Sequence, residues 1–324
     1  MPRSFILVLA SLVACSSATR PAPDAPVPLA IDGTFEVTSR IDLGTMPGGT
    51  DGALAELADA TDAPDDPSLY LVDRLVAALP DGSIKTAAQL VAPLVAAYLD
   101  EKIDDIAPHF SAGVRTLGSG LAQIATRFDT LEVWTVAQAG GTGRAIVGLR
   151  FELPTATTDV AFAGAGQPDV TAQTQVTLDA LGQLAVEHHA IGLAYGEMLR
   201  IGLDRAVIPT VDPAASDLAT ALTDLVDCKS LGALVADKLG IGTASLYESA
   251  CGVGLTAAAD ELYAKLATLD AAPLELDLAG LAVASDGDDD GVADTITGGT
   301  WTGSASYAGA PLAMGLATFD GKKQ

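Results

Sequence analysis

Hydrophobic and polar residues alternate in several short stretches of this chain, and a period of two is typical of β-strands. In the clearest stretch, residues 144–153, the apolar side chains on one face are Val147, Leu149, Phe151 and Leu153. Other strand candidates are residues 33–43, 131–138, 158–163, 171–179, 183–195, 274–285, 293–307 and 311–319. Short strands joined by turns predict an antiparallel meander.

Two blocks of the chain change to helical spacing, with apolar residues three or four positions apart. The blocks cover residues 51–128 and 197–268. The first block contains three apolar stripes. The first runs from Leu69 to Leu79, the second from Leu90 to Ile106 by way of Leu94 and Tyr98, and the third from Val114 to Phe128. These stripes predict faces that pack into a core, with contact to a membrane as the alternative.

The order of these elements predicts an α+β fold. Strand patterns stand at both ends of residues 31–324, and the two helical blocks are inserted between strands. This order favours a single domain, built on an antiparallel meander sheet or a partial barrel that the N- and C-terminal strands close.

The first residues form a short basic start at Arg3, followed by an apolar run over residues 5–14. This run is too short to span a bilayer, for which roughly 20 apolar residues are needed. With Leu12-Val13-Ala14-Cys15, it resembles a bacterial lipoprotein signal peptide. The resemblance covers residues 1–16. It implies removal of residues 1–14 and acylation of Cys15, and the absence of Asp after Cys15 implies the outer membrane. An ordinary secretory signal with a chance cysteine is the alternative.

The segment after the signal peptide, residues 15–30, is rich in proline, with Pro21, Pro23, Pro26 and Pro28. Such a composition predicts an extended tether rather than a helix or strand. The tether would hold the domain away from the membrane to which Cys15 anchors it.

The charge of the chain limits its partners. Against 17 Lys and Arg there are 42 Asp and Glu, which gives a formal net charge of −25. This charge repels phosphate backbones and anionic lipid surfaces, so no nucleic-acid partner is predicted. A hydrophobic content of 49% excludes a disordered chain.

Two cysteines remain after Cys15, and they are Cys228 and Cys251. In an exported protein an even remainder of two predicts one disulfide. Two separate buried thiols are the alternative.

An acidic segment places Asp286, Asp288, Asp290 and Asp294 at loop positions 1, 3, 5 and 9, with Gly291 at position 6. Calcium prefers several oxygen ligands in such an arrangement. The segment resembles the loops of thrombospondin type 3 repeats, dockerins and EF-hands, and departs from them with Thr297 at position 12. The resemblance implies a structural calcium ion, and a solvated acidic hairpin is the alternative.

Motifs for catalysis are missing from the sequence: it contains no GxSxG, no HExxH, no Walker A loop and no complete GxGxxG. His188 and His189 are expected on opposite faces of a strand. We therefore predict a non-catalytic envelope lipoprotein, a calcium-stabilised binding or structural module attached to the membrane through its lipid anchor. Its expected partner is an envelope protein or an apolar small molecule. One alternative is a carrier of an apolar ligand, held in a groove between a curved sheet and the helices. Another is a hydrolase whose acidic residues are brought together only by the fold.

Overall fold

The computed structural model of the protein describes residues 29–50, 67–137 and 141–324. The predicted signal peptide with Cys15, most of the predicted tether and residues 51–66 of the first helical block lie outside the described residues.

The predicted strands form one antiparallel sheet. Its strands are β1 (Gly33–Asp42), β2 (Arg127–Val136), β3 (Gly141–Leu153), β4 (Ala156–Ala161), β5 (Val170–Leu178), β6 (Gln183–Leu193), β7 (Leu274–Ser285), β8 (Thr295–Tyr307), β9 (Ala310–Leu312) and β10 (Thr318–Lys323). The α+β class predicted from the sequence is therefore confirmed.

The sheet closes into an eight-stranded barrel in the order β1-β2-β3-β5-β6-β7-β8-β10. The last strand, β10, pairs with β8 on one side and with β1 on the other, while β4 and β9 extend β3 and β8. The expectation of closure by the terminal strands is confirmed, but the barrel is closed rather than partial. The difference arises because the predicted strand over residues 311–319 is two separate strands, and β10 continues to Lys323.

The helices are α1 (Pro67–Ala77), α2 (Ser83–Asp100), α3 (Ile103–Ile106), α4 (Phe110–Thr126), α5 (Phe162–Ala165), α6 (Tyr195–Gly202), α7 (Ile208–Val211), α8 (Leu218–Asp224), α9 (Cys228–Leu239) and α10 (Ala244–Thr268). A π-helical turn, Leu203–Val207, joins α6 to α7. In the part of the chain that the structure describes, no helix is both long enough and apolar enough to span a membrane.

The two ends of the barrel differ in what they carry. At one end lie the β5–β6 turn, the β7–β8 loop and both ends of the described domain, near Ala30 and Lys323. We call this the loop end. The β1–β2 and β6–β7 connections leave from the opposite end, and they contain all the described helices except α5. We call this the helix end.

The face of α2 that packs inward is not the one that the apolar spacing predicts. Its buried residues are Ala88, Ala92, Val95, Ala96 and Leu99. Leu90 and Leu94 are 79% and 73% exposed. Small alanine side chains let α2 approach its neighbours closely, which turns the larger leucines outward. The helix also ends at Asp100, so the predicted continuation through Ile106 is wrong.

Strand β3 departs from strict alternation in a similar way. Its pairing with β2 shifts between Leu131 and Glu132, which marks a β-bulge. Arg144 and Ile146 are buried before the shift, and Leu149 is buried after it, whereas Val147 is half-exposed. The predicted common face of Val147 and Leu149 is therefore wrong, because the bulge moves the inward register by one residue.

Candidate functional site

The acidic loop between β7 and β8 gathers three of its four predicted ligands. Asp286, Asp288 and Asp294 each place a carboxylate oxygen within 4.8 Å of the others. Asp290 is not part of this group, and its Oδ1 accepts the Val292 N–H at 2.8 Å. Thr297, at loop position 12, pairs with Val283 in the sheet. The described loop therefore offers a cluster of three carboxylates.

Backbone N–H groups within the loop hold Asp286 in place. Its Oδ2 accepts the Gly291 N–H at 2.7 Å, and its Oδ1 accepts the Asp289 N–H at 2.8 Å. Asp289 and Gly291 both have positive φ angles, 64° and 84°, which aspartate and glycine tolerate better than most residues. The loop therefore takes its turn from its own residues.

The electrostatics of the loop differ between its carboxylates. Hydrogen bonding by the Gly291 N–H lowers the pKa of Asp286. The Asp290 N–H also acts to lower the pKa of Asp288, but repulsion from Asp290, partial desolvation and repulsion from Asp294 raise it overall. The carboxylates thus repel each other, and a cation between them would relieve that repulsion.

The same loop contacts both ends of the domain. The Ala30 N–H donates to the Gly291 carbonyl at 2.9 Å, and the Ala293 N–H donates to the Ala30 carbonyl at 2.8 Å. The Lys323 N–H donates to the Asp294 carbonyl at 2.8 Å. The loop therefore joins the chain that enters the barrel to the strand that completes it.

The predicted disulfide is confirmed. Cys228 and Cys251 are bonded, with their Cα atoms 5.6 Å apart. Cys228 is the first residue of α9 and Cys251 lies in α10, so the bond links these two helices at the helix end.

A polar cluster that no sequence motif predicted fills part of the barrel interior. Arg144 and Glu132 form an ion pair whose side chains are 1% and 0% exposed. Arg144 Nη2 donates to Glu132 Oε1 at 2.6 Å, and the indole N–H of Trp134 donates to Glu132 Oε2 at 2.6 Å. The Arg144 guanidinium also lies over the Trp301 ring, 4.7 Å from its centre. The cluster joins β2, which carries Glu132 and Trp134, to Arg144 on β3 and Trp301 on β8.

The charges of this cluster are mutually compensated. Burial alone would raise the pKa of Glu132, but the charge and hydrogen bonds of Arg144, with the Thr130 hydroxyl and the Trp134 indole, hold it below its usual range. Glu132 is therefore ionised in the folded protein. Buried ion pairs occur in structural networks as well as in active sites, so this pair alone does not indicate catalysis.

The adjacent histidines lie on opposite faces, as expected. His189 is 7% exposed and faces the interior, whereas the side chain of His188 is 66% exposed. Arg144 Nη1 donates to His189 Nε2 at 2.6 Å, and this contact requires a neutral imidazole. His189 Nδ1 then donates to the Glu187 carbonyl at 2.8 Å.

We expect His189 to make stability depend on pH. Burial lowers its pKa, and the nearby Arg144 adds to this effect, while the Glu187 carbonyl and Glu132 oppose it. An unfolded histidine titrates near pH ~6.5, so as the pH falls the unfolded state takes up the proton before the folded state does. Between about pH 7 and pH 5, the free energy of unfolding of the wild type should fall by about 1 kcal/mol more than that of His189→Gln.

Urea unfolding at several pH values measures this difference. His188→Gln, which removes the exposed imidazole, is the matched control and should keep the wild-type dependence. Identical pH slopes for His189→Gln and the wild type would show that His189 is not the source.

A groove of about 620 Å³ lies on the outer wall of the barrel. Among its lining residues, Arg40 contacts two carboxylates, Asp129 at 3.2 Å and Glu152 at 2.5 Å. Burial raises the pKa of Asp129, although Arg40 opposes the shift. One guanidinium thus compensates both acids, an arrangement typical of a structural ion-pair network.

A second groove, of about 300 Å³, runs between α2 and α9 at the helix end. The side chains that line it are Ala87, Val91, Leu94, Val95, Tyr98, Lys238, Leu239 and Ile241. Leu94 and Tyr98, which were predicted to pack into the core, therefore lie in one wall of an open groove. We call it the α2–α9 groove.

No family model matches the chain, and no curated protein or solved structure is significantly similar to it.

Proposed function

We propose that the protein is an exported lipoprotein whose barrel domain is a non-catalytic, calcium-stabilised binding or structural module at the outer membrane. The arrangement of the two barrel ends carries this proposal. The chain from the N-terminal segment enters at Ala30 beside the acidic loop, while the helices leave from the opposite end. An anchor at Cys15 would attach the loop end to the membrane, and the helix end would be presented to a partner.

The acidic loop suits calcium in its donor chemistry. Asp286, Asp288 and Asp294 provide oxygen ligands from a single loop, and calcium accepts six to eight such ligands in flexible geometry. Asp290 and the carbonyl at position 7, that of Val292, would bring the ligands to five, and water would supply the others. Bound calcium would neutralise the repelling carboxylates and stabilise the loop that joins Ala30 to β10.

Calcium is expected to raise the melting temperature of the chelated protein. A ligand that binds only the folded protein stabilises it by about 2.7 kcal/mol when its free concentration is about 100 times the dissociation constant. Asp288→Asn should abolish most of this gain, because it removes a negative charge that calcium would bind. The amide oxygen can still accept the Asp290 N–H, so the turn of the loop is preserved. Thermal unfolding with and without millimolar calcium measures the difference.

Asp289→Asn is the matched control for this experiment. Asp289 is adjacent, lies outside the three-carboxylate group and has a φ of 64°, which asparagine tolerates. It should respond to calcium as the wild type does. An unchanged melting temperature in calcium, or an equal response from Asp288→Asn, would refute the calcium assignment.

Carriage of an apolar ligand is the second candidate function, and the α2–α9 groove is the observation that favours it. The groove lies between two helices rather than between the sheet and the helices, where the sequence analysis expected it. Its volume of about 300 Å³ is at the lower end of the range for small-molecule sites.

A further inference from the structure

The exposed side of α2 has an unusual composition for a surface helix. Residues 86–99 contain no Asp, Glu, Lys or Arg, although these residues make up 18% of the chain. Leu90 is 79% exposed, Leu94 is 73% exposed and Tyr98 is 36% exposed. Scattered exposed leucines are common on proteins, but here they lie on one helix face beside a groove.

The α2–α9 groove has one polar end. Of the described side chains that line it, Lys238 is the only charged one. Its Nζ lies 3.7 Å from the centre of the Tyr98 ring, so the ammonium group stands at the C-terminal end of the α2 wall. The remaining length, towards Ala87, is lined by aliphatic side chains. The groove therefore combines an apolar channel with a single cation at one end.

The nearest acid leaves this ammonium group available to a ligand. Asp237 lies 3.6 Å from Lys238 Nζ, and its side chain is 77% exposed. Water screens such an exposed ion pair, so it contributes little energy. An ammonium group has three N–H donors, so it can contact Tyr98, Asp237 and an additional anion together.

We propose that the α2–α9 groove binds a single acyl chain with an anionic head, in which the chain lies along Leu94 and the head pairs with Lys238. The proposal rests on the second candidate function and names the ligand class for it. The apolar wall favours the acyl chain because its burial removes exposed leucine surface from water. The lone cation favours a carboxylate or phosphate head over a cationic one.

Two other occupants are opposed by charge. A second copy of the chain would bring together two molecules that each carry a formal charge of −25. The same charge opposes docking on a bilayer with anionic lipids. A small anionic amphiphile brings only one negative charge to the acidic domain, and Lys238 compensates that charge within the groove.

The test is a calorimetric titration of the chain without residues 1–15, which keeps every described residue. The probe is dodecanoate, and dodecyltrimethylammonium provides the same chain with a cationic head. We expect one dodecanoate per protein and an affinity at least about tenfold lower for the cation. Lys238→Met should lower the affinity for dodecanoate by about fivefold and remove the preference for an anionic head.

Leu94→Asp should lower the affinity for dodecanoate by at least about tenfold, because it places a charge in the apolar channel. Leu181→Asp is the matched control, since Leu181 is 83% exposed in the β5–β6 turn at the loop end. It should bind dodecanoate as the wild type does. Both leucines are exposed, so neither substitution disturbs the core, and thermal unfolding checks this.

The outcomes separate the ligand class from the carrier function. If both amphiphiles bind equally and Leu94→Asp blocks both, the groove carries apolar ligands but the anionic head is wrong. If neither binds, the groove proposal and the carrier function both fail. Two further results would overturn the proposal. If light scattering shows a dimer that Leu94→Asp abolishes, the groove binds a second copy of the chain. If the protein floats with phosphatidylcholine vesicles and Leu94→Asp abolishes this, the groove binds a bilayer.

Discussion

Arg144→Met is expected to lower the free energy of unfolding by about 3–5 kcal/mol. The substitution leaves Glu132 fully buried without its countercharge, so the carboxyl must stay ionised at a high cost or take up a proton, since the two side chains are 1% and 0% exposed in the wild type. It also removes the guanidinium that lies over Trp301 and donates to His189. Chemical unfolding monitored by tryptophan fluorescence measures the loss, because Trp134 and Trp301 both contact this cluster.

Two companion variants show whether the unpaired charge causes the loss. Arg150→Met breaks the exposed pair with Asp159, whose side chains are 33% and 50% exposed, and should cost less than about 1 kcal/mol. Glu132→Leu combined with Arg144→Met removes both charges and should recover much of the stability. An equal cost for Arg144→Met and Arg150→Met would contradict the buried position of Glu132.

Much of the secondary structure follows from local periodicity. The stripe from Val114 to Ile124 is buried as the helical period predicts, and the alternation over residues 274–285 matches β7. These elements bury one regular face, so their pattern alone determines their register. In α2 the buried face consists largely of alanines, whose weak hydrophobic signal could not compete with that of Leu90 and Leu94.

Complete closure of the barrel, rather than the predicted partial closure by the terminal strands, could not be predicted from the sequence. It depends on β10, a strand of six residues that contains Asp320, Gly321 and two lysines. Such a segment has weak strand propensity, and it is ordered by pairing with β1 and β8 on both sides. Pairing of this short strand along both of its edges is a tertiary effect that no local pattern records.

The acidic loop and the buried polar cluster also differed in how far the sequence predicted them. The clustering of carboxylates in the acidic loop was predictable because they lie within nine residues. The Glu132–Arg144–His189 cluster was not, because its members come from three strands and meet only through their register. The available signal was Glu132, a charged residue in the same alternating register as Thr130 and Trp134.

Cys15→Ser is expected to abolish attachment of the mature protein to the outer membrane. Acyl chains contribute ~0.8 kcal/mol for each buried methylene, and more than one chain makes the attachment stable. Serine has no thiol to acylate, so the variant should be absent from the outer-membrane fraction of a host with two membranes. Ser17→Ala, which leaves Cys15 and its neighbour unchanged, is the control and should remain in that fraction.

The most direct test of the account is the intact mass of the wild-type protein purified from membranes. We predict a chain that begins at Cys15, lacks residues 1–14 and carries several acyl chains on that cysteine. A chain with an unmodified Cys15, or one that begins at any other residue, would contradict the proposal that this domain is held at the envelope as a lipoprotein.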